Sequence, residues 1–137
     1  MLKGTKNLIV FAVAVLMLAT VAWGRKFALT IAPTVPAAKG DIDVTADKNG
    51  NTQVDLKVEN MANPSSLTPP ATAYVIWFVE EGEQPHNQGE LRISGNLKGD
   101  FKTTTSMKNF EVFGTAESDP MTKTPTGQRV FHATVQR

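Results

Sequence analysis

The chain has no cysteine, which excludes a disulfide framework, a thiolate metal site and a cysteine nucleophile. Its 137 residues include only two histidines, His86 and His132, little material for a zinc enzyme or histidine-based acid–base chemistry. A basic block is also missing. The formal charge of +1 becomes −1 once Lys3 and Lys6 of the N-terminal segment are set aside, leaving 12 basic against 13 acidic residues. Phosphate binding needs clustered Lys and Arg, so the chain carries no electrostatic footprint for nucleic acid. Beyond the N-terminal segment, no stretch has the apolar spacing of an amphipathic helix of three turns. What is present is globular in composition: 41% hydrophobic and 20% charged residues, with 10 Gly and 8 Pro. The length suits one small domain plus a targeting segment.

Residues 1–7 (MLKGTKN) carry two lysines and no acid, and residues 8–22 (LIVFAVAVLMLATVA) carry no charge at all. This is the layout of a secretory signal peptide, with cleavage after Ala22 or Gly24. An uncleaved anchor is the second reading. The 17 residues from Leu8 to Gly24 are at the short end of a bilayer span, and Trp23 stands where interfacial aromatics gather. Arg25 and Lys26 follow at once, which suits an anchor better than a cleaved signal. Both readings place the remainder outside the cytoplasm, either secreted or periplasmic, or held in the membrane by residues 8–24. No cysteine stands near residue 20 to carry a lipoprotein anchor. Residues 25–40 read as a Pro/Ala spacer in which Pro33 and Pro36 stop any helix, with residues 27–31 able to join a sheet as an edge strand.

From residue 41 onward alternation dominates. Residues 41–46 (DIDVTA) and 53–59 (QVDLKVE) alternate polar and apolar, the mark of antiparallel strands with one wet face. Asn49-Gly50 between them supplies positive φ angles for a tight hairpin turn. Residues 73–80 (AYVIWFVE) are nearly all apolar and predict a central strand buried on both faces. Further strands are expected over 89–94, 100–105, 109–117 and 129–136, separated by loops at 60–72, 81–88 and 118–128. The expected fold is all-β, an immunoglobulin-like antiparallel β-sandwich of about seven strands over residues 41–137, preceded by the hydrophobic N-terminal helix. Its core includes Ile42, Leu56, Tyr74, Ile76, Trp77, Phe78, Ile93, Phe101, Phe110 and Phe131.

Tyr74-Val75-Ile76-Trp77 enters this central strand, and Gly89-Glu90-Leu91 and a turn at Gly99 follow. Then come Phe110 to Glu117 (FEVFGTAE) and Pro125-Thr126-Gly127 before the last strand. This layout resembles the extracytoplasmic C-terminal domain of the anti-sigma-K factor family, over residues 73–131. That family shows a Tyr-x-x-Trp strand, a Gly-Leu-type strand, a Val-Thr-x-Glu strand and a Pro-Thr-Gly turn. The resemblance implies a β-sandwich outside the membrane with no catalytic residues. It does not extend to a sigma-binding domain, because only seven residues precede the hydrophobic run. Transcriptional control would then need a separate subunit.

The chemistry-bearing residues form no recognisable catalytic set. Asp47, Asn49, Asn51 and Asp55 alternate oxygen ligands, but a calcium loop from Asp47 needs Gly and an acid where Thr52 and Val58 stand. His86 follows Glu80, Glu81 and Glu83 in an acidic loop that could hold a metal but is commoner as a solvated loop. The same glutamates invite a paired-carboxylate reading without any sign of a cleft. His132 alternates with Phe131 and Ala133 and is expected on the wet face. Ser65, Ser66, Ser94 and Ser106 lack the strained-turn context of a nucleophile, and Gly82, Gly89, Gly95 and Gly99 lack that of a phosphate loop. Residues 103–105 (TTT) and 122–126 (TKTPT) offer a polar contact surface. No enzyme, metal site or cofactor is expected. The favoured reading is an exported binding module whose loops 60–72, 81–88 and 118–128 meet a protein or cell-envelope partner. The alternative is a structural, self-assembling envelope protein that pairs through an edge strand.

Overall fold

The computed structural model describes residues 24–137, which form nine strands and one short 3-10 turn. The strands are β1 (Gly24–Ala28), β2 (Thr30–Ile31), β3 (Lys39–Ala46), β4 (Thr52–Glu59) and β5 (Ala73–Val79). They continue with β6 (His86–Leu91), β7 (Gly99–Thr105), β8 (Asn109–Glu117) and β9 (Arg129–Gln136). Two antiparallel sheets result, one ordered β1-β3-β4-β7 and the other β2-β9-β8-β5-β6. The hydrophobic leader falls outside the described residues.

Alternation decides which face each strand gives to the core. In the β3–β4 hairpin, Ile42 stands opposite Leu56 and Val44 opposite Val54, all buried, while Asp43 stands opposite Asp55 on the other face. On the facing sheet, Tyr74, Ile76 and Phe78 of β5 share the inner face with Phe110 and Val112 of β8, and with Phe131, Ala133 and Val135 of β9. Phe78 and Phe110 pack with ring centroids 4.8 Å apart. Apolar burial from both sheets is the main force holding them face to face.

Several expectations are corrected in detail. The segment 25–40 is built into the sandwich: Arg25 to Ala28 pair with β3, Thr30 and Ile31 pair with β9, and Leu29, Val35 and Ala38 are buried. Residues 27–31 do provide edge strands, but the chain switches sheets at Leu29, giving one edge to each. The sixth strand begins at His86 rather than Gly89 and ends at Leu91. His86, Asn87 and Gln88 have poor strand composition. They are drawn in because β5 pairs with a partner along its length, with Trp77 opposite Asn87 and Phe78 opposite His86. Ile93 and Phe101 are only partly buried, at the rim of the core.

The hairpin turn also differs from expectation. Gly50 alone takes a positive φ, at 78°, while Asn49 does not. The Asp47 carboxylate organises the loop instead, accepting from the backbone N–H of Asn49 at 2.8 Å and of Asn51 at 2.9 Å. An oxygen-rich spacing there serves the backbone, as short Asx turns do.

Candidate binding surface

β5 is buried on both faces, as its continuous apolar run requires, and the second face has its own small core. Val75, Trp77 and Phe113 cluster there, with Val79 at the margin. The Trp77 and Phe113 rings lie 6.3 Å apart and 17° from parallel. Arg129 closes one side, its guanidinium 3.9 Å from the Phe113 centroid and 3.2 Å from the Glu111 carboxylate. Trp77, which the sequence places in the core of a strand buried on both faces, is thus fully buried, in this second cluster rather than between the sheets.

A flap, residues 118–128 between β8 and β9, serves this outer face and is fastened at both ends. At its far end the Asn87 side-chain amide donates to the carbonyls of Pro120 at 3.0 Å and Thr122 at 2.8 Å. The Asn87 carbonyl oxygen accepts from the Gly89 N–H at 2.9 Å, so both ends of the amide are used. At the near end stands Glu117, 1% exposed. Its carboxylate accepts from the Thr126 hydroxyl at 2.6 Å, from the Thr126 N–H at 3.2 Å and from the Gly127 N–H at 3.2 Å. The Thr115 hydroxyl donates to the same carboxylate at 2.5 Å and accepts from the Trp77 indole N–H at 2.8 Å. A chain of hydrogen bonds therefore runs from the small core through Thr115 and Glu117 into the flap.

Burial alone would raise the Glu117 pKa, but the bonds from Thr115, Thr126 and Gly127 outweigh it and hold the carboxyl below its ordinary value. Gly127 is required for this approach: a Cβ there would lie 1.6 Å from the Ala116 carbonyl oxygen. On the opposite face of β5, the Tyr74 hydroxyl donates to the Ala62 carbonyl at 2.7 Å and ties down the loop before β5. Burial pushes the Tyr74 phenol up to about 12. Tyr74 and Trp77 are three residues apart on a strand, so they point to opposite faces. One anchors the 60–72 loop and the other the flap. Gln128 joins the two loops, donating to the Thr68 carbonyl at 2.9 Å.

Between the flap tip and the start of β6 lies a groove of about 590 Å³, lined by Pro85, His86, Gln88, Pro120, Met121 and Lys123 among others. Met121 is 80% exposed, and among the described residues it is the one large apolar side chain presented to solvent. The structure thus brings together parts of the 81–88 and 118–128 loops, while separating His86 from the glutamates beside it in sequence. Glu80, Glu81 and Glu83 line a different groove of about 380 Å³, just beyond the C-terminal end of β5, with Glu111 and Thr134. Among the described residues no three His, Asp or Glu side chains are grouped so as to hold a metal ion.

His132 is exposed on β9, on the wet face that alternation assigns it. Ser66 spends its hydroxyl on the Asn63 carbonyl at 2.7 Å, and Ser94 on its own turn, at the Lys98 carbonyl and the Asn96 side chain. Of the two threonine runs, residues 103–105 lie on β7, and Thr126 of the other binds Glu117. Sequence reasoning did not single out Asn87 or Met121, and it met Thr115 and Glu117 only as part of the strand that carries the family resemblance, with no role for either. A usable signal existed for Glu117, an acid ending a strand of buried residues and followed by a Thr-Gly turn rich in free N–H groups. Asn87 has no such signal. No protein-family model matches this chain, and a search of curated proteins found no match either.

Proposed function

We propose that this chain is an exported, non-catalytic β-sandwich module that binds a protein or cell-envelope partner through the flap and groove of its five-stranded sheet. The observation that carries the reading is the exposure of Met121, at 80%, on a loop fastened at both ends beside a groove. A tip held by Asn87 on one side and Glu117 on the other loses little freedom on binding, so its apolar contact is retained as affinity. Rigid scaffolds with functional loops are the usual division of labour in such folds.

We read the sandwich as immunoglobulin-like. The run β9-β8-β5-β6 follows the G-F-C-C′ order of that fold. The β3–β4 hairpin departs from it, since there the neighbour of the second strand comes later in the chain. Likeness to the outer domain of anti-sigma-K factors fits the same reading, because six of the residues that carry it (Tyr74, Trp77, Thr115, Glu117, Thr126 and Gly127) are anchors of two loops. Export rests on residues 1–24. β1 begins at Gly24, so an anchored form would hold the sandwich directly against the membrane surface. Among the described residues no helix is long and apolar enough to cross a membrane.

The test is site-specific photo-crosslinking of the full chain in its native envelope, with the probe at position 121 and a control probe at the exposed position 48. A discrete adduct from 121, absent from 48 and lost when Asn87→Ala frees the flap tip, is the expected result. Identical adducts from both positions, or adducts indifferent to Asn87→Ala, overturn it.

A further inference from the structure

Four strands end the two sheets, and they are not equally protected against a partner strand. β2 has two residues, too few to template one. β6 is broken by a register shift opposite Ile76/Trp77, with Gly89 at φ 133°. β1 has five residues. β7 is different: seven consecutive residues pair with β4 without a shift, and none is proline. Bulges, prolines, short length and charged side chains, Lys above all, are the usual guards of an edge, and of these β7 has only the charges, Asp100 and Lys102.

The charges on β7 also complement themselves. Asp100 and Lys102 share the outward face, and Phe101 between them points inward, packed against Gly89 and only partly buried. In an antiparallel pair about a two-fold axis, centring the register on Phe101 sets Asp100 of each copy opposite Lys102 of the other. It also sets Phe101 opposite Phe101, where a half-covered aromatic edge gains cover. Centring on Lys102 instead opposes two lysines. Opposite charges directly across a sheet stabilise and like charges destabilise, so the pattern selects one register.

The strand behind extends the logic. Lys102 stands opposite Asp55 of β4, and Asp100 opposite Lys57. Asp55 has a buried oxygen, Oδ1, with no hydrogen-bond partner among the described residues. Joining two copies places each Lys102 between Asp55 of its own chain and Asp100 of the other, continuing an alternating row of charge across the seam.

We infer that β7 is a homotypic interface: two copies join β7 to β7, antiparallel about Phe101, into one eight-stranded sheet. This surface is distinct from the flap groove, whose lining comes from β6 and the flap of the other sheet, although Phe101 packs against Gly89 of that lining. It also differs from residues 27–31, which the sequence offers as the pairing edge.

The chain's lack of cysteine makes the test direct. Phe101→Cys and Thr103→Cys are introduced separately into the full chain in detergent, and disulfide formation is followed under mild oxidation. Directly opposed residues have Cα atoms about 4.5–5.5 Å apart, within disulfide reach. The two 103 positions are about 13 Å apart in this register, which is out of reach. Rapid dimer at 101 and little at 103 is expected. Equal yields at both, or none at 101, overturn the register, and association through the hydrophobic leader would not distinguish the two sites. Charge reversal gives a second readout that spares Phe101. Asp100→Lys alone and Lys102→Glu alone each abolish the pair in sedimentation, while the double variant restores it. A wild-type chain that stays monomeric, or a double variant that does not regain the pair, refutes the interface.

Discussion

Replacing Glu117 tests whether the hydrogen-bond chain from Trp77 to the flap acts as a unit. Glu117→Ala removes an acceptor used by four donor groups, from Thr115, Thr126 twice and Gly127. Thr115 is 1% exposed, so its hydroxyl is left buried without an acceptor, at a cost of about 1–3 kcal/mol. Thr126 and Gly127 are exposed, so water replaces the carboxylate for them and only part of those charge-assisted bonds is lost. The sum is about 3 kcal/mol, or a fall in Tm of about 15 °C for a domain of this size. Urea denaturation followed by far-ultraviolet circular dichroism measures it. Thr115→Val alone also destabilises, but the pair Glu117→Ala/Thr115→Val costs about 1–2 kcal/mol less than the sum, because the stranded hydroxyl is gone. The acid limb adds a sign. The folded pKa lies below the ordinary 4.5, so this carboxylate's contribution is complete above that pH and is lost as pH falls through the folded value. Glu117→Gln lacks that component and has a flatter acid limb. Single-variant effects that add to within about 0.5 kcal/mol, or a Glu117→Gln protein as stable as wild type, would refute the network.

Gly127→Ala drives a methyl into the Ala116 carbonyl and is expected to cost about 1–3 kcal/mol or more, whereas Gly95→Ala, with open space around it, stays within about 0.5 kcal/mol. Thermal unfolding of the two variants compares them. Asp55 titrates in the opposite sense from Glu117. Burial first, then the hydrogen bond and like charge of Asp100, raise its carboxyl above the ordinary 3.8 against the pull of Lys57 and Lys102. Its ionised form therefore costs stability as pH rises through the folded value. Asp55→Asn is expected to stabilise at neutral pH by no more than about 1 kcal/mol, with no gain below pH 3.8, as urea midpoints across the acid range would show. Tyr74 is the chain's only tyrosine, so its ultraviolet titration is unambiguous and should show a midpoint near 12 rather than 10.0. Because the unfolded phenol ionises first, stability falls by about 1.4 kcal/mol per pH unit between those values, and Tyr74→Phe removes this slope.

The parts of the fold legible in the sequence were those fixed by period. Residues 41–46 and 53–59 alternate, and their buried face follows from that alone, while the turn between them sets the register. Residues 73–80 read as a doubly buried strand, but the run cannot say what buries each face; that depends on the flap, which is remote in sequence. Residues 86–88 pair only because β5 offers them a partner, so their composition conceals their structure. Residues 25–40 look like a spacer because Pro33 and Pro36 break the pattern, yet Leu29 between β1 and β2, and Val35 and Ala38 between β2 and β3, are buried in the core. The candidate surface was legible as a set of loops and not as a geometry. Asn87, an ordinary surface amide by sequence, decides where the flap tip lies.

The two proposed surfaces interact through geometry. β7 belongs to the four-stranded sheet and the flap is fastened to the other, so a β7 pair that keeps the flap grooves open would present two of them. A partner with one site gains nothing from this arrangement beyond local concentration. A partner that repeats, as a polymeric envelope component does, meets two rigidly spaced contacts, and the second engagement becomes intramolecular. Weak contacts at a small apolar tip such as Met121 then suffice for stable retention. The charge-reversal variants that break the β7 pair should lower apparent affinity for a repeating partner while leaving that for a single-site partner unchanged. Equal loss for both would mean that β7 contacts the partner itself, and the division of labour between the two sheets would fall.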